Sequence, residues 1–303
     1  MRTPYRKISL WCFYLSLIVF YTAIPSISNQ GIGIVKREYS WNDFDGIRRT
    51  VTFSIRSSDI TESEHEYGAP PTEIGSQRIT FHYKISYPAN ATPEIIRKLK
   101  ENAKANSERQ ARAIIDAQRS RVFSRGYIAI DGDKIGVDLA GAWNRNRQRM
   151  RAYVQQFAYQ TGITPNMLPS QALAFVQQIE YKKPPDLRAG SCILQFYPPV
   201  EALNARYGDC DTKAILFASM VDNGNGPEVI ALRGPDHVIA AVECKPDTPG
   251  YVIRVFNKSF LLCECSAPSW PPGSISQTTY KTIAHGDYIP VRLRPYSSYC
   301  KSE

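Results

Sequence analysis

Four strand-like segments near the C-terminus constrain the fold most strongly. Their sequences, between residues 228 and 265, are EVIALR, HVIAAVE, YVIRVFN and SFLLCEC. They are rich in β-branched and other apolar residues, and short connections separate them, which favours antiparallel pairing. Apolar helical segments precede them, one over residues 170–179 and one directly after the turn at Gly208. Helices followed by an antiparallel sheet predict an α+β fold for this half of the chain.

The N-terminal half shows a different pattern. Alternating apolar and polar residues predict strands over 50–56 and 78–87, with an exposed loop between them. A long charged helix is expected to begin at Pro93, with Thr92 as its N-cap. We therefore expect a strand and basic helix region over residues 35–160 and a second domain over residues 161–303, meeting near Thr161.

The first residues of the chain have the composition of a targeting segment. Arg2, Arg6 and Lys7 precede an apolar run over 10–24, which small polar residues follow. This order is typical of a secretory signal, and the run is short for a membrane span. We expect residues 1–28 to be a signal peptide or an N-terminal membrane anchor. The rest of the chain is then exported, either periplasmic or secreted.

Positive charge is concentrated in one part of the chain. The formal net charge is +9, and residues 97–151 contain fourteen Lys or Arg against six Asp or Glu. Such a stretch is either a solvated helix face or a surface that docks on an anionic envelope component. It has neither the interleaved aromatic residues nor the zinc-finger spacing of nucleic-acid readers, so no nucleic-acid partner is expected.

Cysteine placement singles out one thiol. Without Cys12, which lies in the targeting segment, six cysteines remain, an even number compatible with disulfides whose pairing the sequence leaves open. In the segment RYGDCDTKAILF, Cys210 follows a glycine turn and starts an apolar helix. Unpaired N–H groups and the helix dipole favour a thiolate at that position. The alternative is that Cys210 is a small buried apolar residue at a helix start.

A thiolate nucleophile requires a base, and one histidine is well placed. Of the four histidines, only His237 opens a strand of the C-terminal half, whereas His65, His82 and His285 are expected to be surface or structural residues. A third group usually orients such a base, and Glu264 is the lone acid on its strand. Strand alternation places Glu264 on the face opposite Cys263 and Cys265.

Three segments together resemble one known family. They are YPPVEALNARYGDCDTKAILFASMV, GPDHVIAAVE and FLLCECSAPSWPPGS, and AFVQQIEYKKPPD lies upstream of them. Over about residues 170–273 the chain resembles the transglutaminase-like superfamily, in particular its bacterial cysteine-peptidase-type members. The resemblance implies a papain-like core with the order Cys210, His237, Glu264 as catalytic residues. Glu264 stands where the family more often has Asp.

The resemblance also implies a chemistry. Cys210 would attack an amide carbonyl of a protein or peptide substrate and form a thioester, which water or an amine would then resolve. Hydrolysis by a peptidase or amidase is expected over crosslinking, and no cofactor or metal is expected. Gln177 is the candidate side-chain donor to the oxyanion, with Gln178 as the second choice.

Two other functions remain open on sequence grounds. A catalytically inactive envelope-binding or scaffold protein could have the same fold, because fold does not fix function. A metal site could also use His237, Cys244, Cys263 and Cys265, although zinc sites usually have wider cysteine spacing.

Overall fold

The computed structural model describes residues 33–69, 91–131, 134–222 and 226–294. The described residues mix helices and strands, with an antiparallel sheet, which confirms the α+β prediction. The helices are α1 Ser57–Glu66, α2 Pro93–Ser124, α3 Leu139–Thr161, α4 Leu168–Gln178, α5 Pro199–Ala205, α6 Cys210–Val221 and α7 Gln277–Ala284.

Most strands of the main sheet come from the segments that the sequence predicted. The strands are β1 Ile34–Asn42, β2 Arg48–Arg56, β3 Tyr127–Asp131, β4 Lys134–Val137, β5 Glu180–Tyr181, β6 Leu187–Arg188, β7 Ser191–Cys192, β8 Tyr207–Gly208, β9 Val229–Arg233, β10 Val238–Cys244, β11 Val252–Val255, β12 Lys258–Cys263 and β13 Ile289–Arg292. The five-stranded sheet has the order β11-β12-β10-β9-β13, and all of its pairs are antiparallel. The elements β1-β2, β3-β4, β5-β8 and β6-β7 form two-stranded pairs.

Helix α6 is the buried centre of the fold. Every residue from Thr212 to Val221 is buried, so this helix is covered on all sides. It packs against α3, α4, α5 and strands β9 and β10. A helix that is buried all round is held in place by every neighbour, which fixes the position of its first residue, Cys210.

The β1-β2 hairpin belongs to the same core. Its inward side chains pack around Phe175 of α4, with the rings of Tyr39, Trp41 and Phe53 between 5.1 and 5.7 Å from the Phe175 ring. Helix α3 adds Phe157, whose ring lies 5.4 Å from that of Phe175. The hydrophobic core therefore continues across the domain boundary that the sequence predicted near Thr161.

The chain divides into two compact units at other positions. One unit contains residues 32–74 and 122–303, and the other contains residues 1–31 and 75–121. In the second unit the structure describes residues 91–121, most of helix α2. The amide of Ile95 donates to Thr92 Oγ1 over 3.4 Å, which confirms the predicted N-cap. Exposed i,i+4 ion pairs such as Arg97 with Glu101 line this helix.

One predicted loop is a helix instead. The segment expected to be exposed after residue 57 begins with α1. Asp59 and Ser63 of α1 are buried, and they meet Tyr153 of α3 and Glu201 of α5. These distant polar partners stabilise a helix that has no apolar stripe of its own.

The predicted strand over 78–87 and the targeting segment 1–28 lie outside the described residues.

Within the described ranges, no helix has the length and apolar character needed to cross a membrane.

Candidate active site

Cys210 is placed by a tight turn between β8 and α6. Asp209 is the N-cap of α6, and its carboxylate accepts from the Thr212 amide. A Cβ at Gly208 would lie 2.3 Å from Thr212 Cγ2, so a residue with a side chain would push the turn away from the helix. Thr212 is held in turn by the Tyr197 amide, which donates to its hydroxyl. Cys210 is thus the first residue of a fixed helix.

His237 and Glu264 are brought together by the main sheet. His237 directly precedes β10, and Glu264 directly follows β12, its antiparallel neighbour. The distance from His237 Nε2 to Glu264 Oε2 is 2.9 Å. Glu264 is only 5% exposed, and its other oxygen accepts from the Ser266 amide and hydroxyl. The carboxylate is therefore locked against one nitrogen of the imidazole.

The thiol is the second partner of the same imidazole. Burial lowers the pKa of His237, but hydrogen bonds with Cys210 and Glu264 outweigh burial and raise it to about 10. Because Nε2 faces Glu264, Nδ1 is the ring nitrogen available to Cys210. The structure brings all three expected residues into one site, in the order thiol, imidazole, carboxylate.

Glu264 is held in its charged form. Burial alone would raise the pKa of this carboxyl, but hydrogen bonds from His237 and Ser266 hold it below its usual range. A charged Glu264 stabilises the imidazolium and fixes the orientation of the ring. Cys263 and Cys265 both lie in the main hydrophobic core, whereas the Glu264 carboxylate is turned to His237.

The remaining described histidines, His65 and His285, lie outside this site. His65 is in α1, and His285 is exposed beyond α7, where Nδ1 lies 2.7 Å from the Lys281 carbonyl oxygen. His82 lies outside the described residues.

Gln177 does not present a donor to the site, contrary to the sequence prediction. Its Nε2 donates to the carbonyl oxygens of Glu264 (2.8 Å) and Trp270 (2.7 Å), which uses both hydrogens of the amide. Its Oε1 accepts from the Trp270 amide. Gln177 therefore fastens the loop after Glu264 to helix α4. Gln178, the second choice, is exposed and lines a separate cavity.

Replacing Gln177 by Met is expected to lower the free energy of unfolding by about 1–3 kcal/mol, because buried backbone groups lose their partners. Urea unfolding would measure the loss, with Gln178→Met as the exposed control. Unchanged stability in Gln177→Met together with lost activity would instead return Gln177 to the role of oxyanion donor.

Lys213 joins the thiol helix to the end of α4. Its side chain is 1% exposed, and Nζ donates to the carbonyl oxygens of Ile179 (2.8 Å) and Gln177 (3.3 Å). Burial lowers the pKa of this ammonium group to about 8. A cation at the C-terminal carbonyls of a helix is favourable, so Lys213 holds α4 and the following β5 beside Cys210.

Two tyrosines that the sequence analysis did not single out border the site. Tyr181 lies opposite Gly208 in the parallel β5-β8 pair, and Cys210 is among the groups that raise its pKa. Tyr288 covers the turn before His237, since a Cβ at Gly234 would lie 2.6 Å from Tyr288 Cζ. The position of Tyr181 at the end of the quoted AFVQQIEY segment was the available sequence signal.

The other cysteines differ from Cys210. Cys192, Cys210, Cys244, Cys263 and Cys265 are free thiols. Burial raises the pKa of Cys244, Cys263 and Cys265 above the usual range. Among the described residues no three His, Cys, Asp or Glu side chains form a group suited to a metal ion, so the four-residue metal site considered above does not form.

A cavity of about 400 Å³ lies near the site but is separate from it. It is bounded by β1, the end of α4 and residues 205–206, with Trp41, Glu180 and Arg206 among its lining residues. None of Cys210, His237 and Glu264 lines it. It therefore does not belong to the candidate active site.

Comparison with known protein families, curated proteins and solved structures finds no match to this chain.

Proposed function

We propose that this chain is an exported, transglutaminase-like cysteine enzyme that cleaves amide bonds of protein or peptide substrates through a thioester on Cys210. The observation that supports this most directly is His237, which is bound to Glu264 over 2.9 Å and has Cys210 as its other partner. This is the geometry of an activated nucleophile: base beside thiol, and carboxylate beside base. Docking of the basic segment 97–151 on an anionic envelope component belongs to the same proposal.

Each step of the proposed reaction uses a residue of this site. Cys210 Sγ attacks the carbonyl carbon, the C–N bond breaks, and His237 gives its proton to the departing amine. Water then attacks the thioester while His237 takes a proton, and the acid leaves with the thiol restored. The His237 side chain is about a quarter exposed, so water reaches the base, as hydrolysis requires.

An activated ester tests this function without knowledge of the natural substrate. Mixing the full chain with p-nitrophenyl acetate should give a burst of p-nitrophenolate, one per chain, followed by slower turnover. Added methylamine should leave the slow rate unchanged if water is the acceptor, whereas acceleration would assign acyl transfer. A chain with neither burst nor turnover would overturn the enzyme proposal and leave the binding or scaffold function.

The proposed pairing also predicts the titration of His237. With the pKa raised to about 10, the imidazole should stay charged from acid to neutral pH and lose its proton only as the pH rises through about 10. In Cys210→Ala the midpoint should fall, because one of the two groups that raise it is removed. NMR of the ring protons measures the midpoint of His237 in the wild-type chain and in Cys210→Ala. A wild-type midpoint near 6.5 would contradict the pairing.

A further inference from the structure

Cys210, His237 and Glu264 do not by themselves supply a second donor for the oxyanion. Attack on an acyl carbon creates a negatively charged oxygen, which fixed donors stabilise. The backbone N–H of Cys210 is one, because the first residues of a helix have no intrahelical acceptor. The amide of Gln177 is committed to two carbonyl oxygens, so Gln177 does not supply the second donor.

Tyr181 is held where such a donor is needed. The parallel bridge aligns Tyr181 with Gly208, two residues before Cys210. The Lys182 amide donates to the Gly208 carbonyl oxygen over 3.2 Å, and Lys213 fixes the preceding residues through Ile179. Aligned residues of a parallel pair present their side chains on the same face, so the Tyr181 side chain lies on the face where a Cβ at Gly208 would meet Thr212, at the start of α6. Tyr181 is 51% exposed as a residue, which leaves its ring room to turn when substrate enters.

The hydroxyl stays protonated over the working range of an enzyme. Desolvation and the nearby Cys210, Asp209 and Asp211 raise the pKa of Tyr181 to about 12. At neutral pH the group is therefore a neutral O–H donor facing a site where negative charge develops.

We propose that the Tyr181 hydroxyl is the second oxyanion donor of this enzyme, and this inference rests on the proposed function. Before attack it donates to the sulfur of Cys210. When the sulfur lone pair forms the S–C bond, the negative charge moves from the sulfur to the oxygen bonded to that carbon. The hydroxyl follows the charge by a small turn of its exposed ring.

Two reactions of Cys210 separate this role from support of the nucleophile. Acylation by p-nitrophenyl acetate passes through an oxyanion, whereas alkylation by iodoacetamide displaces iodide at a saturated carbon and forms none. Tyr181→Phe removes only the hydroxyl. We expect acylation to slow by roughly 10²-fold, the cost of one oxyanion donor. Alkylation, which loses only the donor to the sulfur, should change far less. Tyr159→Phe, at a tyrosine that is 89% exposed, is the matched control and should change neither rate.

The outcomes distinguish this inference from the proposed function. If the wild-type chain is not acylated at all, the proposed function fails. If it is acylated and Tyr181→Phe is acylated equally fast, Tyr181 is not the donor although the enzyme proposal stands. Equal slowing of both reactions would make Tyr181 a support of the thiolate, which also overturns the oxyanion role. Circular dichroism of both variants checks that the fold is kept.

Discussion

Replacing Cys210 by Ala should reduce acylation and turnover by roughly 10⁶-fold, the loss that follows removal of an attacking group from a triad. No other described thiol has His237 beside it, and Cys263 and Cys265 are fully buried with raised pKa values. The substitution removes one small side chain at the surface end of α6. The free energy of unfolding should therefore change by about 1 kcal/mol.

A matched thiol serves as the control for this variant. Cys244 is also partly buried and free, but it lies on β10 away from the imidazole. Cys244→Ala should keep the burst with p-nitrophenyl acetate that Cys210→Ala loses. A burst of normal size in Cys210→Ala would show that another residue carries the acyl group.

Replacing His237 by Ala should slow turnover by about 10²–10⁴-fold, because the group that moves protons is removed. It also leaves the buried Glu264 carboxylate with Ser266 as its remaining side-chain donor, at a cost of about 1–3 kcal/mol in unfolding free energy. Glu264→Gln should cost less activity, because the amide still holds the ring while the charge is lost. Steady-state ester hydrolysis and urea unfolding measure the two effects.

Controls for this pair come from residues of the same type. His285→Ala and Glu243→Gln change an exposed histidine and a half-buried carboxylate that pairs with Lys258. Both should leave the hydrolysis rate unchanged. A larger loss of hydrolysis rate in Glu264→Gln than in His237→Ala would contradict the roles of His237 as the base and Glu264 as the group that orients it.

The strands and the site triad could be predicted because local patterns carry them. Runs such as HVIAAVE and SFLLCEC are apolar and flanked by turns, and they form β10 and β12. Once these two antiparallel strands pair, the start of β10 lies beside the end of β12, which brings His237 and Glu264 together. A helix start after a glycine turn likewise places Cys210. Each of these inferences needs only a short window of sequence.

Features that depend on distant partners could not be predicted this way. Helix α1 is stabilised by buried Asp59, whose carboxylate accepts from Tyr153 in a helix far along the chain. The sequence shows Gln177 at the correct end of α4 but not that the loop up to Trp270 takes its amide hydrogens. The role of Tyr181 depends on a two-residue parallel pair, which leaves no periodic pattern.

The most direct test of the central claim is to locate the acyl group. The full chain, quenched in acid during the burst with p-nitrophenyl acetate and digested, should carry one acetyl group on the peptide containing Cys210, and hydroxylamine should release it as expected for a thioester. Acetyl groups spread over lysines, or placed on another cysteine, or absent from the Cys210 peptide, would contradict the account.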